Sequence, residues 1–598
     1  MESEPLPEPA ASPPSVGAAR FDRRDSATLV GLALLAALPA VWASLGGSYL
    51  AHEGSELPVR VWAFETFWRE GVLGAMVDIG APGRGALNNP DIPGTIVYGL
   101  AHLVLGREGS YNAAIAFALW ANMAAAWWFV RSWLDDRGAG LVAAVGVGTA
   151  PFLLTYGVTS AITDQLHVWP WLLALDAMRR GTEDRPYRWG AVAGAWAGVG
   201  FLASPYQAVV AVFGAEVAVV GLALAWRGFP WRLGRLARAG GAALLAAALV
   251  AGPYAVQLQR IMAVSGSKMS AEYVASTRHA PPWPNLAGDH PSQYAARLYE
   301  SVALAEHSLH ARETGSRYAR ATASGLVLLG LVAYAVFALQ DRIARRWALV
   351  AVAGVLASTG PYLCLAGTRS LAGPWNPVYL TAWHLAPGGT RLLESFRYTL
   401  LPVVCLPVAA AIAVATLRER GGAWRYVGLA AAGAILAETV LVSPVPLPLP
   451  TARLGVPSVY ASLGTVVGNG ALVELPFFHA ATGRFERRHF LHQLVHRRPI
   501  ADEVRGEPPP YLLENGFLRN LIAEEAAGGA NGMTLLDPAG PGDEVRGREE
   551  LTARGFAALV IDPAAYRTPE VAQRVRQKLP RVLEVGDRWV VPLQDGAR

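Results

Sequence analysis

The chain has 598 residues, of which 53% are hydrophobic and only 16% charged, with a mean hydropathy of +0.29. A soluble protein carries about 25% charged residues, so this composition excludes an ordinary soluble domain and points to a polytopic membrane protein. The net charge is +5, and the basic residues, 49 arginines and two lysines, cluster at the ends of apolar runs, which argues against nucleic-acid binding.

Residues 1–26 read as a disordered cytoplasmic tail: Glu2 to Val16 is acidic and rich in proline and alanine. Arg20, Arg23 and Arg24 then precede an apolar run too long for a signal peptide, so it reads as a signal anchor. The predicted spans are Ala27–Leu50, Tyr111–Trp133, Ala139–Tyr156, Ser160–Met178, Trp189–Ala203, Tyr206–Trp226, Ala239–Leu258, Ala321–Leu339, Trp347–Ala366, Phe396–Leu417 and Tyr426–Val442. With these eleven crossings and an inside amino terminus, every arginine-dense short loop falls on the cytoplasmic face, as the positive-inside rule requires. Ile92 to Leu105 is too short to cross and reads as an interfacial or re-entrant helix. Cys364 and Cys405 both fall within apolar spans, so neither a structural disulfide nor a cysteine metal site is expected.

This topology places the first loop, residues 51–110, on the outer face. It opens with His52-Glu53-Gly54-Ser55-Glu56 and continues into a helical run, Leu57 to Asp78. Val61, Phe64, Trp68 and Val72 share one face of that run, Glu65 and Arg69 are spaced to pair, and the whole suits a helix lying flat in the membrane interface. From residue 444 a proline ladder leads into an outer soluble domain, residues 444–598. There Ala471–Pro476, Ala557–Ile561 and Arg588–Leu593 read as strands and Tyr511–Ala527 as a helix, giving a small α/β or α+β fold.

The order of parts resembles the GT-C superfamily of polytopic membrane glycosyltransferases, in its bacterial branch with a carboxy-terminal extracytoplasmic domain. The resemblance rests on the acidic pair after the first span and on Asn-Pro-Asp91-Ile-Pro-Gly94 leading to Tyr111-Asn112. It rests also on Ser160-Ala-Ile-Thr-Asp164-Gln-Leu-His167, Arg391-Leu-Leu-Glu-Ser-Phe-Arg397 and Val495-His-Arg-Arg-Pro-Ile500. It implies transfer of a sugar from a polyprenyl-phosphate carrier to a glycan, lipid or protein acceptor at the outer face of the bacterial inner membrane. It also implies a first-loop carboxylate at the active site, a position taken here by Glu53 or Glu56.

Such a transfer needs a base for the acceptor proton and positive charge, or a divalent cation, for the departing phosphate. Glu53 or Glu56 is the expected base, with Asp91 or Asp164 as second carboxylate or metal ligand; the ordinary alternative is that these acids are solvated at helix ends. Arg391 and Arg397 at the mouth of a late span, Arg260 and Lys268 at another, and His52 are the expected donor-binding residues; the alternative is that the arginines snorkel to headgroups. His489, His492 and His496 have a zinc-like spacing, but four neighbouring arginines favour a basic surface helix facing headgroups. No phosphate-binding glycine loop is present, so no nucleotide is expected. Two other functions stand beside the enzyme: a transporter or flippase for lipid-linked saccharides, for which the mid-span Glu216 is the argument, and a non-catalytic scaffold.

Overall fold

In the computed structural model the described residues are 21–71, 76–77, 81, 85–86, 91–224, 233–264, 324–360, 376–387, 395–443, 445, 447–479, 484–501, 510–527 and 540–593. A helical bundle is built from α1 (Arg23–Leu45), α2 (Leu57–Glu70), α3 (Ile92–His102), α4 (Arg107–Leu134), α5 (Arg137–Gly148), α6 (Trp169–Glu183) and α7 (Pro186–Ala203). It continues with α8 (Pro205–Leu224), α9 (Leu233–Val264), α10 (Leu326–Ala333), α11 (Arg342–Ser358), α12 (Pro377–Leu385), α13 (Leu400–Glu419) and α14 (Val427–Leu441). α1, α4, α9, and α13 and α14 each taken with its preceding 3-10 turn, are long and apolar enough to cross a membrane; α5 with the π-helical Leu153–Thr159 makes a sixth, bent by 48°. The other five expected crossings correspond to α6, α7, α8, α10 and α11, which are shorter or less apolar. Leu34, Leu38, Trp42 and Leu45 of α1 and Leu244, Leu245 and Leu249 of α9 stand exposed, as a lipid-facing surface requires.

Local chemistry sets the breaks. Pro151 lacks an N–H and cannot continue α5, so the chain bends there and resumes as a π-helix. Pro170 sits in the first turn of α6. The expected Ser160–Met178 span is therefore helical only from Trp169; before it lies a buried irregular corner with one 3-10 turn, Thr163–Gln165. α7 and α9 approach closely through Gly190 and Gly194: a Cβ on Gly194 would lie 2.0 Å from the Ala243 carbonyl oxygen.

The carboxy-terminal part carries α15 (Val459–Val466), α16 (Arg488–His496), α17 (Pro510–Glu514), α18 (Gly516–Ala527), α19 (Pro541–Ala553) and α20 (Pro569–Gln577). Its sheet holds β1 (Ala471–Leu475), β2 (Phe556–Ile561), β3 (Leu583–Val585) and β4 (Arg588–Pro592) in the order β1-β2-β4-β3, with β1 and β2 parallel and the other pairs antiparallel. The three predicted strands are present. The predicted helix is divided at Asn515, whose side chain caps α18 by accepting from the Phe517 and Leu518 N–H groups. Alternation sends Val473, Leu559 and Val591 to one face, against Phe517, Leu521 and Val575. Leu472, Val560 and Val590 face the other way, against Tyr460 and Leu463.

This domain docks on the first loop. Tyr49 and Ala452 exchange both backbone hydrogen bonds, at 2.8 and 2.9 Å. α16 lies against α2, with the Phe490 ring edge-on to Trp62 and the Trp62 indole N–H donating to Gln493 Oε1 at 2.7 Å. Two expectations are corrected here. α2 is not half-exposed along its length: Leu57 through Phe67 are all buried, and the helix stops at Gly71, whose φ of +86° ends it short of Asp78. α16 is not a surface helix facing headgroups: His489 through Leu494 are buried between the sheet and α2.

Candidate active site

The site is built at the end of the bundle that faces the carboxy-terminal domain. Its floor is the corner from Thr159 to Val168. Asn122, buried in α4, holds that corner with three bonds: its amide donates to the Leu166 carbonyl at 2.6 Å, and its oxygen accepts from Val168 and Trp169 N–H at 3.0 and 2.9 Å. Ala161 takes a φ of +58° inside the corner, a conformation that costs a non-glycine residue about 1–3 kcal/mol. The acidic turn of the first loop is stitched to the same corner, with His52 N–H donating to the Thr159 carbonyl at 2.8 Å and Glu56 N–H to the Ser160 carbonyl at 3.2 Å.

The four expected carboxylates occupy different environments. Asp164 is fully buried; its Oδ1 accepts from Arg60 Nη2 at 2.7 Å and its Oδ2 from Gln165 Nε2 at 2.6 Å and Ser204 Oγ at 3.1 Å. The extra bonds help offset the cost of desolvating an ion pair. Asp91 caps α3 by accepting from Gly94 N–H, and its Oδ1 lies 2.7 Å from His167 Nε2. Trp169 Nε1, which can only donate, bonds His167 Nδ1 at 3.1 Å, so the imidazole proton sits on Nε2 and is directed at Asp91. Burial alone would raise the Asp91 carboxyl, yet His167 and the Gly94 N–H hold it below the usual carboxylate range. The Thr163 side chain acts on Asp91 in the same direction. Glu56 is buried, its Oε2 2.5 Å from Arg487 Nη1 of the carboxy-terminal domain. Glu53, in the turn before it, is exposed.

The expected basic groups divide likewise. Arg397 is buried at the same corner, donating to the Tyr156 hydroxyl at 3.2 Å and lying 4.1 Å over the Tyr206 ring. The next residue, Gln207, donates to the Asp164 carbonyl at 3.1 Å. His52 is exposed beside Glu53. Arg260 belongs to the last turns of α9, while Arg391 and Lys268 lie outside the described residues. Glu65 does not use Arg69 as its charge partner: its carboxylate takes Arg107 and the Tyr98 hydroxyl, because α3 and α4 bring those groups onto α2.

Arg60, His167, Asn122 and Arg487 were not expected at the site. Arg60 and Asn122 carry a legible signal, polar groups inside apolar helical runs; Arg487 sits among neighbouring arginines that obscure it.

A divalent cation finds no fitting donor set: among the described residues no three His, Cys, Asp or Glu side chains are grouped to hold one. Both Asp164 oxygens are engaged by donors. The histidine trio does not form a zinc site either. His492 Nδ1 and His496 Nε2 instead meet the buried Glu474 at 2.6 and 3.4 Å, and the Tyr460 hydroxyl donates to it at 2.7 Å.

The backbone arrangement matches solved structures of arabinofuranosyltransferase AftD from Mycobacteria, with a TM-score of 0.54 at 15% identity over 96% of this chain. A second AftD structure gives 0.51 over 97%. The chain has the GT-C fold. It spans 42% and 40% of those two AftD chains. ArnT from Cupriavidus metallidurans, solved bound to undecaprenyl phosphate, aligns at a TM-score of 0.46 and 13% identity over 96% of this chain and 98% of its own. The sequence matches no family profile and no curated relative. Within the GT-C bundle, the acidic turn after the first helix, the Asp164 corner and Arg397 all gather at the domain-facing end.

Proposed function

We propose that this GT-C protein transfers a glycosyl group from a polyprenyl-phosphate sugar to a glycan, lipid or protein acceptor, on the outer face of a bacterial inner membrane. The observation that carries the reading is the sorting of the acids. Glu53 stands exposed on a turn whose backbone is tied to a buried, ion-paired floor, while Glu56 and Asp164 are engaged by Arg487 and Arg60.

Glu53 is the base. It takes the proton of the acceptor hydroxyl as that oxygen attacks the anomeric carbon. The bond from that carbon to the phosphate oxygen breaks, and the lipid phosphate leaves with the electron pair. Arg397 supplies positive charge at the corner, oriented by Tyr156 and Tyr206, and the departing phosphate is assigned to it. Asp164 with Arg60, and Asp91 with His167, keep the floor rigid rather than touch substrate.

The test uses membranes reconstituted with the full chain and labelled polyprenyl-phosphate sugars. Glu53→Gln is expected to lower turnover by about 10²–10⁴-fold, the usual contribution of a positioned base. Turnover in Glu53→Gln equal to wild type removes the assignment.

A further inference from the structure

The carboxy-terminal domain brings the charged side chain of Arg487 to the first loop. Arg487 Nη1 lies 2.5 Å from Glu56 Oε2, and each residue is more than nine-tenths buried. Arg487 immediately precedes α16, and that helix is held from three sides. Glu486 accepts from the Arg487 and Arg488 N–H groups at 2.9 and 3.0 Å and from Arg488 Nη2 at 2.8 Å. Burial opposes ionisation of Glu486, but Arg488 brings its carboxyl down to about 2. On the sheet side His492 and His496 meet Glu474, and on the bundle side Gln493 and Phe490 meet Trp62. The guanidinium is therefore presented from a fixed support. Glu56 is in turn three residues from Glu53, on a turn that the His52 and Glu56 N–H groups tie to the floor.

We infer that Arg487 is a positioning residue for the transfer site, supplied by the carboxy-terminal domain: by holding Glu56 it fixes the turn that aims Glu53. The inference rests on the reading of Glu53 as the base. It makes the domain a component of the active site, with Glu56 the contact through which it acts.

Kinetics and amide exchange on the full chain test this together. Arg487→Met is expected to lower kcat by about tenfold or more, as loss of alignment does, with the donor KM changed by less than about twofold. Arg487→Lys restores a large part of the rate. Glu56→Gln produces a loss of similar size, and the double variant is no slower than either single one, because both remove the same contact. Deuterium exchange at the His52 and Glu56 amides rises in Arg487→Met. Multiplicative losses in the double variant, or wild-type kcat in Arg487→Met, would overturn the proposal. Should the wild type transfer no sugar from any donor, the functional reading fails, and the exchange arm still decides the positioning role. Unchanged exchange in Arg487→Met overturns it.

Discussion

Asn122→Leu is a near-isosteric change that removes the three bonds holding the Leu166–Trp169 corner. Trp169 N–H, part-buried in the first turn of α6, would be left without a partner, at a cost of about 1–3 kcal/mol. Val168 N–H and the Leu166 carbonyl keep their mutual bond at 3.0 Å, so each loses only the net value of one hydrogen bond, about 1 kcal/mol apiece. The expected destabilisation is about 3–5 kcal/mol. The corner also carries Asp164 and His167, so turnover should fall by more than the loss of folded protein explains. Denaturation of the detergent-solubilised chain, followed by its own tryptophan fluorescence, measures the first effect. Donor turnover per folded molecule measures the second. A variant with the wild-type midpoint and wild-type turnover would refute the role given to this side chain, and with it the view that the floor is held from α4.

Gly194→Ala should separate α7 from α9 and cost about 1–3 kcal/mol, since the new methyl would meet backbone. Gly240→Ala, in a helix interior with nothing within 4 Å of the added carbon, is its control in the same melting assay and should leave the midpoint unchanged or raise it, by up to about 1 kcal/mol of stability. The Glu474 cluster predicts acid sensitivity. Burial opposes the charge on Glu474, yet His492 and its other donors hold its carboxyl well below the usual value, and burial keeps the His492 pKa below 6.5. Both depressed values mean that the unfolded chain binds protons more readily, so stability falls as pH drops below about 6.5 and further below 4.5. Melting of the full chain between pH 8 and 4 checks this, and Glu474→Gln should flatten the lower part of the profile. A flat wild-type profile would contradict it.

Much of the bundle was legible because an apolar run of about 20 residues has few soluble alternatives. The acidic turn was legible as well: charge directly after a first span is conspicuous in the sequence. The bend at Pro151 and the late start of α6 at Pro170 were also written in residues whose backbone rules are strict, though hydropathy alone runs through both. What could not be read was cover. α2 and α16 each look amphipathic in isolation, and each owes part of its burial to the other, with Trp62 and Gln493 separated by 431 positions. The same distance hid Arg487. The roles of Asp91 and Asp164 depended on which neighbours the folded corner brought to them, His167 and Arg60, and no local spacing announces those pairings.

The bridge between Tyr49 and Ala452 and the pair of Trp62 with Gln493 also bear on how the protein is made. At about 5–20 residues per second, a ribosome needs roughly 20–90 s to pass from one member of the Trp62–Gln493 pair to the other. Through that interval the opening helices are already made, while the segment that covers the first loop has yet to be synthesised. The first loop therefore waits, without its cover, until the last quarter of translation brings Gln493 and Arg487 to it.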